Sequence, residues 1–227
     1  MGAQVGSPDR QDSRVFAVVL TGGRSRRFGG RHKPAVAVAG TPVLSRIVSA
    51  VHDVAVGQGL MGESEGVSIW IAGPLDGLSE SERAQVQQVL EEPRFAGPLA
   101  GIAAAVAALP ATSDAVVLLL AGDLPFVRAA DLQTLIRRSS DTGQVATCRD
   151  AEGHLQYLHA AWPLSLLRDR LACLDQVADR PVGLLYRNLD PLVVDLAMDH
   201  LADFDTPEDL RRITAAAPDG SGRTIGS

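Results

Sequence analysis

Cysteine, aromatic residues and long apolar runs are scarce in this chain of 227 residues. Its two cysteines, Cys148 and Cys173, lie in unrelated contexts. They make neither a disulfide framework nor a zinc pattern, which suits a reducing compartment. The longest apolar runs are the length of strands, short of what a membrane-spanning helix needs. The segment Met1 to Arg14 is polar and has no apolar centre of the kind a signal peptide carries, so a cytoplasmic protein is expected. Net positive charge is lacking too: 21 basic residues stand against 27 acidic ones, a formal charge of -6. The chain as a whole therefore has no electrostatic reason to seek nucleic acid or an acidic membrane, and any anion site must be local.

What is present is enough apolar sequence, 46% of the residues, to bury one sizeable core. Residues 1–13 and 217–227 are rich in Gly, Ser, Pro, Asp and Arg without an apolar period. They are expected to be disordered tails around a domain spanning 14–216. Strand-like and helical stretches alternate inside it. Val15–Leu20, Val67–Ala72, Gln87–Leu90, Ala115–Ala121, Gln144–Cys148, Gln156–Trp162 and Leu192–Leu196 read as strands. Pro42–Val56, Leu99–Leu109, Ala129–Ser139 and Pro163–Cys173 read as helices. The segment 57–66 carries only turn and acidic residues and reads as a surface loop. The run Ala115–Ala121 has no polar alternation, which implies burial on both faces in the middle of a parallel sheet. The expected class is therefore α/β: a single Rossmann-like three-layer domain with a mostly parallel central sheet. In such sheets ligands bind beyond the carboxyl ends of the strands, so the residues after Leu20, Ala72, Ala121 and Leu196 are the ones to inspect.

After the first strand the sequence is Leu20-Thr21-Gly22-Gly23-Arg24-Ser25-Arg26-Arg27-Phe28-Gly29-Gly30-Arg31-His32-Lys33. From Val15 to His52 there are six cations, Arg24, Arg26, Arg27, Arg31, Lys33 and Arg46, and no carboxylate. Paired glycines let the backbone approach a ligand, and the surrounding cations suit a triphosphate. The spacing fits neither a Walker loop nor a Gly-x-Gly-x-x-Gly fingerprint, so a different phosphate-binding class is needed. The alternative, a turn with solvated arginines, leaves its position directly after a buried strand unexplained. After the most buried strand comes Gly122-Asp123-Leu124-Pro125, where a carboxylate is well placed to hold Mg²⁺ against phosphates. A plain Asp-x-Pro turn is the alternative. Glu91 and Glu92 precede Gly97-Pro98-Leu99-Ala100-Gly101, and Pro98 suits the first turn of a helix; the two acids also suit a helix N-terminus on dipole grounds alone. Asp203-Phe204-Asp205-Thr206-Pro207-Glu208-Asp209-Leu210 reads locally as a helix start capped by Thr206. His52, His154, His159 and His200 show no ligand spacing, and only His32 stands near this chemistry. Trp70 and Trp162 read as packing residues in strands.

The loop from Leu20 to Lys33 resembles the signature of the molybdenum cofactor guanylyltransferase family. It departs from that signature at Thr21, where alanine is usual, at Phe28, where methionine is usual, and at His32, often acidic. The Glu91 to Gly101 segment, Gly122-Asp123-Leu124-Pro125 and the Asp203 to Leu210 string are similar to further elements of the family, in the same order. The last has aspartates where the family has asparagines. The resemblance implies a fold of the nucleotide-diphospho-sugar transferase type. It also implies that Leu20, Thr21, Gly22 and Gly23 frame base and phosphates, that Arg27 and Lys33 stabilise negative charge, and that Asp123 holds Mg²⁺. Glu92, with Glu91 close behind, would accept from a guanine amino group beside Gly97. Asp205 would be a second metal or acceptor contact, and Gly153 to Leu158 would shape the acceptor pocket. The implied reaction moves GMP from GTP to molybdopterin carrying molybdenum, releasing pyrophosphate. The implied protein partners are those of molybdenum insertion and molybdoenzyme maturation. Rival readings are a sister enzyme, either a cytidylyltransferase for the same cofactor or one acting on a sugar phosphate or phospholactate, and a non-catalytic nucleotide sensor.

Overall fold

The computed structural model describes residues 15–22, 32–56, 67–111 and 115–196. The expected tails and the 57–66 loop lie outside them. In chain order the elements are β1 (Val15–Leu20), β2 (Ala37–Val38), β3 (Thr41–Pro42), α1 (Val43–Val56), β4 (Ser68–Ala72), α2 (Glu80–Arg83), β5 (Val86–Val89), α3 (Pro98–Ala108), β6 (Val116–Ala121), α4 (Ala129–Thr142), β7 (Ala146–Arg149), β8 (Leu155–Pro163), α5 (Leu164–Ala172) and β9 (Leu192–Val193). Short 3₁₀ turns cover Lys33–Ala35 and Val182–Tyr186.

Seven strands form one sheet in the order β5-β4-β1-β6-β8-β7-β9. Only β8 runs against the rest; β5, β4, β1 and β6 are parallel neighbours, and β7 and β9 share their direction. The sheet's middle is apolar on both faces because each face carries its own helices. Ala17, Val19, Ile69, Ile71, Leu118 and Leu120 pack under α1 and α4 with Leu44, Ile47, Leu132 and Leu135. Phe16, Val18, Val117 and Leu119 pack on the other side with Leu99, Ile102, Leu164 and Leu167 of α3 and α5. Successive strand residues point to opposite faces, so continuous apolar strands generate the three layers.

From β1 the chain steps outward to β4 and β5, then returns through α3 to β6 on the other side of β1. That reversal opens a crevice at the carboxyl ends of β1 and β6, the place where open α/β sheets bind ligands. The strands end level: Leu20 is paired with Ala72 on one side and Ala121 on the other, and Ala72 with Val89. Pro42 differs from the sequence reading. It pairs with Ala37 in the small β2–β3 hairpin instead of opening α1. The late strand is only Leu192–Val193. Two-residue strands and the single-turn helix α2 are too short to carry a period, which is why sequence patterning does not show them. No helix among the described residues is long and apolar enough to cross a membrane.

Candidate functional site

Beyond Leu20 the backbone is held from several sides. The amides of Thr21 and Gly22 both donate to the Ala72 carbonyl, at 3.1 and 3.3 Å, and the Gly122 amide donates to the Leu20 carbonyl at 2.9 Å. The Thr21 hydroxyl donates to Pro74 O at 2.8 Å, and His32 Nε2 lies 2.6 Å from Thr21 O. This turn therefore extends the sheet by hydrogen bonds rather than leaving it as a free loop. Gly122 permits the close approach, since a β-carbon there would lie 2.7 Å from Leu20 O.

Lys33 opens the 3₁₀ turn, with buried Pro34 behind it fixing the backbone. Its Nζ lies 3.6 Å from Asp123 Oδ2, and the two side chains are 18% and 30% exposed. Both face a cavity of about 270 Å³ that Thr21, Gly22, Gly122 and Leu158 also line. Leu20, Gly22 and Pro98 form a wall shared with a second cavity of about 370 Å³, lined further by Ala72, Glu91, Phe95, Gly97, Gly101 and Asp179. Gly97, at φ +93°, caps α3 in a conformation few other residues adopt, and Pro98 follows at the first helical turn.

The two cavities differ in chemistry. One carries an ammonium beside a carboxylate among backbone groups, which suits phosphate oxygens together with a cation. The other is walled by glycines, alanine and proline and rimmed by carboxylates, which suits a flat ring with hydrogen-bond donors on its edge. Joined at Leu20, Gly22 and Pro98, they accept an elongated molecule with an anionic end and a flat end.

Of the residues singled out from sequence, Leu20, Thr21, Gly22, Lys33 and Asp123 meet at the phosphate-like cavity, and Gly97 lines the other. Glu92 is exposed and is not among the residues lining either cavity. The neighbouring Glu91 is: its carboxylate accepts from the Phe95 amide at 2.9 Å. Gly23, Arg27 and Asp205 lie outside the described residues. No group of three or more metal-ligating side chains occurs among the described residues, which leaves Asp123 the carboxylate facing the phosphate-like cavity. Sequence reasoning missed Asp179, which follows α5 and belongs to no motif. Its amide donates to Ala96 O at 2.6 Å, and its φ of +54° is an aspartate-tolerated left-handed turn. Only docking of that turn against Gly97 brings it to the cavity. In the β7–β8 turn, Asp150 accepts from the His154 amide at 2.7 Å and from Gln156 Nε2 at 2.9 Å, and Leu158 on β8 reaches the phosphate-like cavity.

The chain is similar to known proteins over most of its length. The sequence model of the family described as "MobA-like NTP transferase domain" matches residues 17–190. A protein of Opitutus terrae named probable molybdenum cofactor guanylyltransferase is 30% identical, over 88% of this chain and 95% of that one. A Synechococcus elongatus protein of the same name is 37% identical over 52% of this chain. There the match spans about half of the relative's length, 54%. Among solved structures, a nucleotidyl transferase from Methanothermobacter superposes with a TM-score of 0.64 at 22% identity, covering 89% of this chain and 97% of that one. Molybdopterin-guanine dinucleotide biosynthesis protein A from Archaeoglobus fulgidus gives 0.60 at 19% identity, covering 88% and 97%. At those identities the likeness concerns the fold.

Proposed function

The chain belongs to the MobA-like NTP transferase family, and on that premise we propose that it transfers GMP from GTP to molybdopterin carrying molybdenum, with Mg²⁺, in the cytoplasm. The observation that carries the reading is the placing of Lys33 and Asp123 side by side in the crevice between β1 and β6, next to a second cavity walled by glycines, alanine and proline with Glu91 and Asp179 at its rim. The names of the relatives favour GTP and the molybdopterin acceptor.

In this reaction an oxygen of the acceptor's terminal phosphate attacks the α-phosphorus of GTP. The bond from that phosphorus to the bridging oxygen breaks, and pyrophosphate leaves with the electron pair. The protein's part is positioning and charge. Thr21 and Gly22, held by Ala72, Pro74 and His32, form a fixed floor under the nucleotide. Lys33 neutralises charge on the phosphates. Asp123 is suited to hold Mg²⁺, because a hard cation takes one or two carboxylate oxygens and completes its shell with phosphates and water. When bound, that ion would offset charge on the transferring and leaving phosphates. Glu91 and Asp179 would accept from the donors on the guanine edge.

The test is a thermal-shift comparison of GTP, ATP, CTP and UTP with Mg²⁺, followed by pyrophosphate release with molybdopterin as acceptor. GTP should stabilise the protein well beyond the others, since a site built to hydrogen-bond one base rejects others strongly. Asp123→Asn, which keeps the shape and loses the charge, should stay folded and lose pyrophosphate release. Lys33→Ala should lower the rate by a factor corresponding to about 2.7–4 kcal/mol, by analogy with removing one oxyanion donor. Equal shifts with CTP would transfer the reading to a cytidylyltransferase, and an active Asp123→Asn enzyme would move the metal site elsewhere.

A further inference from the structure

Thr21 and His32, two positions where the chain departs from the family's signature, are in contact. His32 Nε2 lies 2.6 Å from the Thr21 carbonyl oxygen. A carbonyl only accepts, so this nitrogen carries the proton and donates. The contact is sheltered: the His32 side chain is 15% exposed and Thr21 is 3% exposed. On the ring's other side, Nδ1 lies 3.5 Å from Asp76 Oδ2. Asp76 belongs to the segment after β4, and that segment is tied to the same place, because Pro74 O accepts from the Thr21 hydroxyl at 2.8 Å.

The imidazole of the residue preceding Lys33 is therefore bonded to the end of β1, and Thr21 there is in turn bonded to the segment after β4. Lys33 cannot drift independently. It sits between His32, bonded to Thr21, and Pro34, which is buried and would meet a β-carbon on Gly122 at 3.2 Å. The spacing between the Thr21–Gly22 turn and the Lys33 backbone is held by that hydrogen bond together with the packing of Pro34, and the Lys33 ammonium at the end of its side chain is held further by Asp123 at 3.6 Å. Both ends of this spacing line the phosphate-like cavity.

We infer that His32 is a positioning residue for the triphosphate: its Nε2–H holds the Thr21–Gly22 turn and the Lys33 backbone at the separation that the phosphates need. This rests on the reading of the site as a nucleotide site, though not on the identity of the acceptor. It touches no reacting atom. Its effect is to have the floor and the cation in place before the ligand arrives, so its loss weakens nucleotide binding more than the chemical step.

A packing histidine would behave differently, and two substitutions separate the roles. His32→Phe keeps a ring of similar bulk and removes the donor, whereas His32→Gln keeps an N–H donor near the position of Nε2 and removes the ring. The measurements are the Kd of GTP with Mg²⁺ in the absence of acceptor, the KM and kcat of the complete reaction, and the melting temperature of each protein. For His32→Phe the Kd and KM should rise about tenfold with kcat within about threefold, the scale of one sheltered hydrogen bond, and His32→Gln should stay within about threefold of wild type in both. Wild-type binding by His32→Phe, or equal weakening by both variants, overturns the inference. Wild-type protein that binds GTP with this pattern of variants but transfers nothing to molybdopterin upholds the inference and defeats the proposed acceptor. Wild-type protein that binds no triphosphate defeats both.

Discussion

Gly73 follows the last residue of β4 with φ +132°, and a β-carbon there would lie 2.6 Å from the Gly22 nitrogen and 2.6 Å from the Thr21 hydroxyl. Neither neighbour can yield easily, because Gly22 N donates to Ala72 O and the hydroxyl donates to Pro74 O. Gly73→Ala is thus expected to combine backbone strain of about 1–3 kcal/mol with a displaced phosphate floor. Urea unfolding should show the lost stability, and titration with GTP and Mg²⁺ should show weaker binding even where the protein is folded. A variant with wild-type stability and affinity would mean that the turn relaxes freely. Nothing in the sequence distinguishes Gly73 from an ordinary glycine after a strand. Its constraint comes from Thr21, far away in the chain, in the register that sets Leu20 beside Ala72. Asp179 was hidden for the same reason, whereas Lys33 and Asp123 stood out because each follows a buried strand in a chemically unusual string.

At the scale of an element, α2 shows local and tertiary bonding on one side chain. Ser79 caps the helix and Glu82 returns the bond: Ser79 N donates to Glu82 Oε2 at 2.8 Å, and the Ser79 hydroxyl donates to the same oxygen at 2.7 Å. Glu82 Oε1 also accepts from Ser45 of α1. Burial by itself would raise the Glu82 pKa, but the hydrogen bonds from Ser45 and Ser79 outweigh it and leave it below the ordinary carboxylate value. A carboxylate whose pKa falls on folding stabilises the fold above its unfolded pKa, and that contribution is lost as the pH drops through the folded value. Glu82→Gln should therefore be less stable than wild type at neutral pH, with the difference narrowing in acid. Stability curves measured from neutral to acid pH would refute this if the gap stayed constant. The capping box is local to the Ser-x-x-Glu string, although the sequence reading passed over this short helix. The tie of Glu82 to Ser45 is not local, since that bond depends on α1 packing beside the helix.

Across the whole molecule, β6 both fills the core and aims the site. Leu118 is fully buried and paired in register with Ala17 of β1 and Ala161 of β8, so its side chain lies between small neighbours. Leu118→Ala should open a cavity that nothing nearby can fill and lower stability by about 2–5 kcal/mol. Because β6 ends at the turn that carries Asp123, the folded state that binds nucleotide is the one being destabilised. GTP with Mg²⁺ at about a hundred times its Kd should restore about 2.7 kcal/mol. Denaturation with and without nucleotide checks both values. A loss below about 1 kcal/mol would mean that the sheet closes around the gap.

The apolar strands and the longer helices were legible in the sequence because burial on two faces leaves an unbroken apolar run, and an amphipathic helix leaves a period. Those signals determined the α/β class, the parallel centre and the strand ends worth inspecting. Local strings also marked the glycine and cation loop, the Gly97–Pro98 helix start and Asp123. The tertiary structure alone decided which strand ends stand level, that β8 enters against the others, that Glu91 and not Glu92 lines the cavity beside Gly97, and that His32 reaches back to Thr21. Each of those depends on contacts between residues remote in the chain. Such contacts are set by sheet register and by the docking of turns on one another, and no local pattern of residue types records them.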